Sequence, residues 1–152
     1  MIEEMDISMD AISQNESLAR ICVSGFMLRL NPTLEQLEDV KTAVSEAVTN
    51  VIIHAYPKDF KIWMHCEIRG QELHIEIKDN GIGIRDIELA KRPMYTSKPD
   101  EERSGMGFSF MEAFMDELSV ESIPEEGTVV RMVKRIGVVK GEDYGETLGA
   151  NC

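Results

Sequence analysis

Three short segments of the chain combine polar side chains or glycines in patterns that suit ligand binding. In the first segment, Glu46 and Asn50 lie four positions apart. On a helix they would stand one turn apart and about 40° apart around the axis, so both would lie on the same face. Apolar residues surround the pair, and His54 continues the polar stripe. Such a stripe suits the lining of a pocket or, as on many long helices, a face exposed to water.

The second segment has the sequence DNGIG, from Asp79 to Gly83, and follows an alternating, strand-like run. Asn-Gly favours a hairpin turn, but the next residues, IRDIELA, have a helical period and do not return a strand. A calcium loop is excluded because Gly81 and Gly83 lack the oxygen ligands it would need. The segment therefore predicts an acid at a strand end, followed by glycines that let the backbone approach a flat ligand.

The third segment, Gly105-Met106-Gly107, precedes an apolar stripe with helical spacing. A helix N-terminus presents free N–H groups to an anion, and glycine lets phosphate oxygens approach the backbone closely. A hinge followed by a helix cap would use the same residues. Neither GxxxxGK[ST] nor the protein-kinase GxGxxG is present, so a phosphate site here would be of another kind.

Two helices are predicted before the first strand-like hairpin. An alternating run over Met5–Ile12 predicts an edge strand, and Ser13 with Glu16 has the form of a capping box that opens helix one. Asn31-Pro32 ends this helix, because proline disfavours helical geometry in the residue before it. A second capping box over Thr33–Gln36 opens a long, one-sided apolar helix that carries the first segment.

The remaining pattern predicts a sheet and a further helix. Two alternating runs flank Gly70-Gln71, and a tight turn there would place His74 opposite Glu67 and His65 opposite Glu76. A helical stripe then includes five residues, and a final strand extends over about 128–135. The stripe residues are Phe108, Met111, Phe114, Met115 and Leu118, and we assign the first four to the core.

Composition limits the class of protein. The 152 residues hold 28 Asp and Glu against 16 Lys and Arg, a formal charge of −12, and this length suits one domain. An acidic chain without a basic run is unsuited to coating nucleic acid. No apolar stretch approaches the roughly 20 residues needed to span a bilayer. Three widely spaced cysteines do not suggest a disulfide framework, and we expect a soluble, cytoplasmic protein with no direct contact to nucleic acid or membrane.

Taken in order, these segments resemble the GHKL superfamily of ATPases and kinases. Within it, SQNESLAR, VSEAVTNVIIHAY, KDNGIG and TSKPDEERSGMGFSFMEAFMD resemble the small anti-sigma serine kinases of endospore-forming bacteria. The resemblance extends over about residues 5–135. It implies an α+β fold, a two-layer α/β sandwich of the Bergerat ATP-binding type, with helices on one face of a mixed, mostly antiparallel sheet. We expect a kinase domain over residues 1–136 and a flexible, acidic, glycine-containing tail over 137–152.

The resemblance also implies roles for individual residues. Glu46 matches the general base, Asn50 the magnesium ligand, and Asp79 the acid that accepts a hydrogen bond from the adenine amino group. Gly81 and Gly83 would form the wall beside the adenine ring. The other implied nucleotide contacts are Thr96, Ser97, Lys98, Arg103, Ser104, Gly105, Met106, Gly107, Phe108 and Thr128.

By the same resemblance, the cofactors are ATP/ADP and Mg²⁺, and the protein is an ATP-dependent serine/threonine kinase. It would form a homodimer, sequester a sporulation sigma factor when ATP is bound, and phosphorylate an anti-anti-sigma protein on serine. Arg20 is the expected partner-binding residue, although an exposed arginine beside Glu16 on a helix needs no partner.

Two other functions stay open from the sequence: a histidine-kinase-like catalytic domain, and a nucleotide-gated sequestering module without kinase activity. A built-in phosphoacceptor histidine would precede helix two, where the sequence has none. We therefore expect the phosphoacceptor on another protein.

Overall fold

The computed structural model describes residues 2–54, 61–81 and 107–137. The elements in chain order are β1 (Ile2–Asp10), α1 (Gln14–Met27), a 3₁₀ turn (Leu28–Leu30), α2 (Leu34–His54), β2 (Lys61–Arg69), β3 (Glu72–Asp79), α3 (Gly107–Phe114), β4 (Glu117–Ile123) and β5 (Gly127–Arg135). The five strands form one sheet in the order β1-β2-β3-β5-β4. Every pairing between described strands is antiparallel.

One face of this sheet packs against the helices, because the central strands alternate between buried and more exposed residues. The core side chains include Ile62, Met64, Cys66, Ile68, Leu73, Ile75, Ile77, Val130 and Met132 from the sheet, with Ala19, Val23, Met27, Val40, Val44 and Val48 from α1 and α2. The predicted α+β arrangement, with helices on one face of a largely antiparallel sheet, is confirmed. No helix in the described ranges is long and apolar enough to cross a membrane.

The start of α2 is held by the predicted capping box. The Thr33 N–H donates to Gln36 Oε1, and the Gln36 N–H donates to Thr33 Oγ1, both at 3.0 Å. Gln36 Oε1 also accepts the Gly137 N–H at 3.0 Å. One side chain therefore caps α2 and fixes the chain that leaves β5.

The predicted capping box at α1 is wrong. Ser13 is itself helical, with φ −53° and ψ −37°, and its side chain makes no capping hydrogen bond, whereas an N-cap residue needs a non-helical conformation. Instead, Asn15 Nδ2 donates to the Asp10 carbonyl at 2.7 Å, which ties the helix start to the end of β1. Glu16 lies 3.7 Å from Arg20 as a helical ion pair.

The predicted register of the β2–β3 hairpin is confirmed, since Glu67 pairs with His74 and His65 pairs with Glu76. The side chains nevertheless contact other groups. His65 Nδ1 lies 2.6 Å from an Asp6 oxygen and its Nε2 lies 2.9 Å from Glu67 Oε1, while His74 contacts a carboxylate on its own strand. The closest of these contacts of His65 is to Asp6 on β1, the strand that pairs with β2 on its other edge.

The apolar stripe after Gly107 is helical only as far as Phe114. Leu118, predicted as helical, lies on β4, a strand that the helical prediction missed. Spacing from Phe108 to Leu118 fits a helix, but Leu118 and Val120 also alternate with exposed residues, and pairing with β5 selects the strand. The run IRDIELA, which has a helical period, and the predicted tail from residue 138 onward lie outside the described residues.

We predict that His65 makes the stability of the fold depend on pH. Hydrogen bonds to Glu67 and Asp6 raise the pKa of His65 above its ordinary value of 6.5. A raised histidine pKa stabilises the folded state fully below the ordinary value, and this stabilisation is lost as pH rises through the raised pKa. His65→Gln should therefore lower the free energy of unfolding more at pH 6 than at pH 9, as measured by urea denaturation.

His74→Gln is the control, because it removes an imidazole from the same sheet face without touching the Asp6–His65–Glu67 contacts. Parallel stability curves for wild type and His65→Gln across this pH range would contradict the prediction.

Candidate functional site

The carboxylate of Asp79 is buried at the end of β3, where its side chain is only 6% exposed. Its Oδ1 accepts the Gly81 N–H at 2.8 Å, and the Thr128 N–H also donates to the carboxyl group. Burial raises the pKa of Asp79, and these two N–H donors partly oppose that rise. A carboxylate has about four acceptor positions, so Asp79 keeps capacity to accept a hydrogen bond from a ligand amino group.

The start of β5 approaches Asp79 so closely that only glycine fits there. Gly127 has φ +126°, and a Cβ on it would lie 2.2 Å from the Asp79 carbonyl oxygen. Thr128, which follows, is buried, and its Oγ1 lies 2.9 Å from Ser122 Oγ. Ser122 also donates to the Gly127 carbonyl at 3.2 Å.

Asp79, Gly81 and Thr128 are thus brought together by hydrogen bonds, although Thr128 comes from a segment far from the other two in the chain. Ser122 and Gly127 hold this group in place and were not among the predicted site residues. The turn residues before β5 could have indicated Gly127, but no local signal indicates Ser122, because β4 itself was missed.

Glu46 and Asn50 lie on α2, and both are half-buried. Between and beside them, Ala47, Val48 and Val51 are buried in the core, so the pair lies at the border of the apolar face of the helix. Partial burial agrees better with the lining of a pocket than with a fully exposed face. The Asn50 amide oxygen is a hard ligand of the type that Mg²⁺ prefers.

A groove of about 650 Å³ lies between α1 and α2. Its walls are formed by Glu16, Arg20, Ile21, Ser24, Glu38, Lys41, Thr42, Ser45 and Glu46. The predicted docking residue Arg20 and the predicted base Glu46 therefore share one groove. Within the described ranges, the Arg20 guanidinium makes two long contacts, at 3.7 Å to Glu16 and 3.5 Å to Ser17 Oγ.

The other predicted site residues divide into two groups. Gly107 is the first residue of α3, and the Phe108 side chain is buried in the core, so a ligand contact from Phe108 would come from its backbone. The second group lies outside the described residues and stays a prediction: Gly83, Thr96, Ser97, Lys98, Arg103, Ser104, Gly105 and Met106.

The sequence matches known proteins over most of its length. A family described as the histidine kinase-like ATPase domain matches residues 14–134. The anti-sigma F factors of Oceanobacillus iheyensis and Bacillus subtilis are 46% and 45% identical over 142 residues, which is 92% of this chain and 97% of theirs. The anti-sigma F factor of Clostridium kluyveri is 54% identical over 131 residues, covering 86% of this chain and 92% of its own.

Two solved structures have a similar fold. The RsbU and RsbW domains of a Mycobacterium tuberculosis protein give a TM-score of 0.66 at 17% identity, over 90% of this chain and 35% of that one. The catalytic domain of the histidine kinase ThkA gives 0.54 at 15% identity, over 90% and 99% of the two chains. At such identities the likeness concerns the fold alone.

We predict that the contact between β3 and β5 at Asp79 does not tolerate a side chain at Gly127. Gly127→Ala should lower the free energy of unfolding by about 3 kcal/mol or more, because the new Cβ would overlap backbone and the residue would keep a strained φ. Gly25→Ala in α1 is the matched control. No atom lies within 4 Å of its added Cβ, so we expect a gain of about 0.5 kcal/mol from helix propensity. Urea denaturation measures both changes, and equal effects of the two variants would contradict the prediction.

Proposed function

Because the chain belongs to the histidine kinase-like ATPase family, we propose that it is an anti-sigma factor and a protein serine kinase. In this proposal it binds ATP with Mg²⁺, sequesters a sporulation sigma factor when ATP is bound, and phosphorylates an anti-anti-sigma protein on serine. The observation that carries the proposal is the 45–54% identity, over most of both chains, to relatives named anti-sigma F factor. The domain would extend over residues 1–136, with a tail over 137–152.

Asp79 is the proposed adenine contact. Its buried carboxylate is held by the Gly81 and Thr128 N–H groups and retains acceptor capacity for an exocyclic amino group. Its position is supported by the close approach of Gly127, which fixes β5 against the end of β3. The phosphates would extend toward α3, where Gly107 begins the helix and the N–H groups of a first helical turn would suit an anion.

Asn50 is the proposed Mg²⁺ ligand and Glu46 the proposed general base, one helical turn apart on α2. Bound ATP with Mg²⁺ supplies the γ-phosphoryl group and neutralises part of its charge. Glu46 would accept the proton that the substrate serine releases as its oxygen bonds to the γ-phosphorus and the bond from that phosphorus to the departing ADP breaks. Its half-buried position on the wall of the groove keeps it open to a substrate arriving from the side of α1.

Arg20 is the proposed partner-binding residue. It lies on the α1 wall of the groove, and its charge is only weakly satisfied by Glu16 and Ser17. We also propose that the protein forms a homodimer through α1 or β1. Large apolar side chains are exposed on or next to these elements, namely Ile2, Ile12, Leu18 and Leu28, and covering them would remove apolar surface from water.

We predict that Glu46→Gln retains nucleotide binding and loses phosphoryl transfer by about 100-fold or more, because amide nitrogen and oxygen cannot accept the serine proton. The assay mixes the protein, labelled ATP, Mg²⁺ and the anti-anti-sigma protein, and measures acid-stable label on that protein. A fluorescent ATP analogue measures nucleotide affinity.

Glu35→Gln is the control for this experiment, since Glu35 is an exposed carboxylate in the first turn of the same helix. Transfer by Glu46→Gln at the wild-type rate would contradict the role of Glu46 as general base. Two results would contradict the kinase assignment: label that is lost in acid as phosphohistidine would be, and binding of the sigma factor with no transfer by wild type.

We predict that Arg20→Glu weakens capture of the sigma factor at least tenfold while nucleotide affinity stays within twofold of wild type. Charge reversal would repel an acidic contact on the partner without reaching Asp79. Arg69→Glu, on the exposed face at the hairpin end of β2, is the matched charge reversal. Binding is measured by pull-down with sigma factor in the presence of ATP, and unchanged capture by Arg20→Glu would remove Arg20 from the proposed interface.

A further inference from the structure

The hydroxyl of Ser45 is buried and has no hydrogen-bond partner among the residues that the structure describes. The residue as a whole is only 8% exposed. A serine on a helix ordinarily turns its hydroxyl to water or to the carbonyl one turn earlier. A buried polar group without a partner costs folding free energy, so the sequence keeps this hydroxyl at a cost that the folded protein does not recover.

Ser45 lies in the wall of the groove between α1 and α2, next to Glu46. The other serine of that wall, Ser24, is satisfied, because its Oγ donates to the Arg20 carbonyl at 2.7 Å. Ser45 has one side-chain torsion, so its hydroxyl, which carries one donor and two acceptor positions, has a few rotamers open to it. The Ser45 hydroxyl, with its unused donor and acceptor positions, thus lies one residue before Glu46, the proposed base.

The charges of the groove indicate what kind of molecule would satisfy this hydroxyl. Two cations, Arg20 and Lys41, stand among three carboxylates, Glu16, Glu38 and Glu46. This mixture does not suit a polyphosphate or a nucleic acid, which needs dense positive charge. It suits a polar peptide segment, whose backbone carries one N–H donor and one C=O acceptor per residue.

We infer that this groove receives the segment of the substrate protein that carries the phosphoacceptor serine, and that Ser45 positions the segment by hydrogen bonding to its backbone. The inference rests on the proposed kinase function. In it, Arg20 and Ser45 contact the substrate along the groove, and the segment ends with its serine hydroxyl at Glu46. Ser45 is a positioning residue and takes no proton.

The test is Ser45→Ala, assayed with the purified anti-anti-sigma protein of the same organism as the phosphoacceptor. Removing an unpartnered buried hydroxyl should leave the melting temperature of the free protein unchanged or higher. It should also raise KM for the acceptor protein by roughly fivefold to tenfold, the loss of one hydrogen bond, while affinity for a fluorescent ATP analogue stays within twofold. Ser45→Thr, which restores a hydroxyl, should return KM toward the wild-type value.

Thr49→Val is the matched control. Thr49 Oγ1 is the other buried side-chain oxygen without a partner in the described part of the chain, but Thr49 does not line the groove. Thr49→Val should keep the wild-type KM for the acceptor. The comparison separates the loss of any buried hydroxyl on α2 from the loss of the Ser45 hydroxyl in the groove wall.

The outcomes distinguish the inference from the function on which it rests. If wild type phosphorylates the acceptor and Ser45→Ala has an unchanged KM, or if Ser45→Ala melts at a lower temperature, the inference is wrong and the kinase function stands. If wild type transfers no phosphate to the acceptor, the proposed function fails and the inference fails with it. A raised KM for Ser45→Ala alone, with rescue by Ser45→Thr, supports the inference.

Discussion

The contact between the end of β3 and the start of β5 is the constraint on which the candidate site depends. Gly127 brings its backbone against Asp79 at a distance that excludes any side chain, and this approach delivers the Thr128 N–H to the buried carboxylate. Two N–H donors then orient an acid that would otherwise be costly to bury. The carboxylate is consequently fixed in direction and still able to accept from a ligand, which is the property that recognition of a flat amine requires.

Helix α2 serves the core and the site at once. One side of it is buried against the sheet through Val40, Val44 and Val48, and this packing fixes the direction of everything on its other side. Glu46 and Asn50 therefore need no flexible loop to hold them. The capping box and the hydrogen bond from Gly137 to Gln36 hold the N-terminal end of α2, which is far from Glu46 and Asn50. The Gln36 side chain therefore stabilises both the start of α2 and the chain after β5.

Local patterns predicted the fold well where the physics is local. A reciprocal capping box such as Thr33 with Gln36 closes within one turn, and a two-residue turn sets the register of a hairpin, so both were predicted correctly. Prediction failed where a distant partner decided the outcome. The start of α1 is held by the hydrogen bond from Asn15 to the end of β1 and not by a Ser13 cap. Leu118 lies on β4 because this strand pairs with β5. His65 contacts Asp6 on β1, 59 positions away, and the pattern of the β2–β3 hairpin does not predict this contact.

By itself, the sequence determined the order of the motifs, the helical and strand periods, the acid at the end of a strand and the one-turn spacing of Glu46 and Asn50, because each depends on a few neighbouring residues. Only the tertiary structure decided which of these groups meet. It brought the Thr128 N–H to Asp79, placed Arg20 and Glu46 in one groove, and left the Ser45 hydroxyl buried without a partner. Such contacts join residues that are remote in the chain, and they follow from how the helices and strands pack, not from the spacing of residues within any one segment.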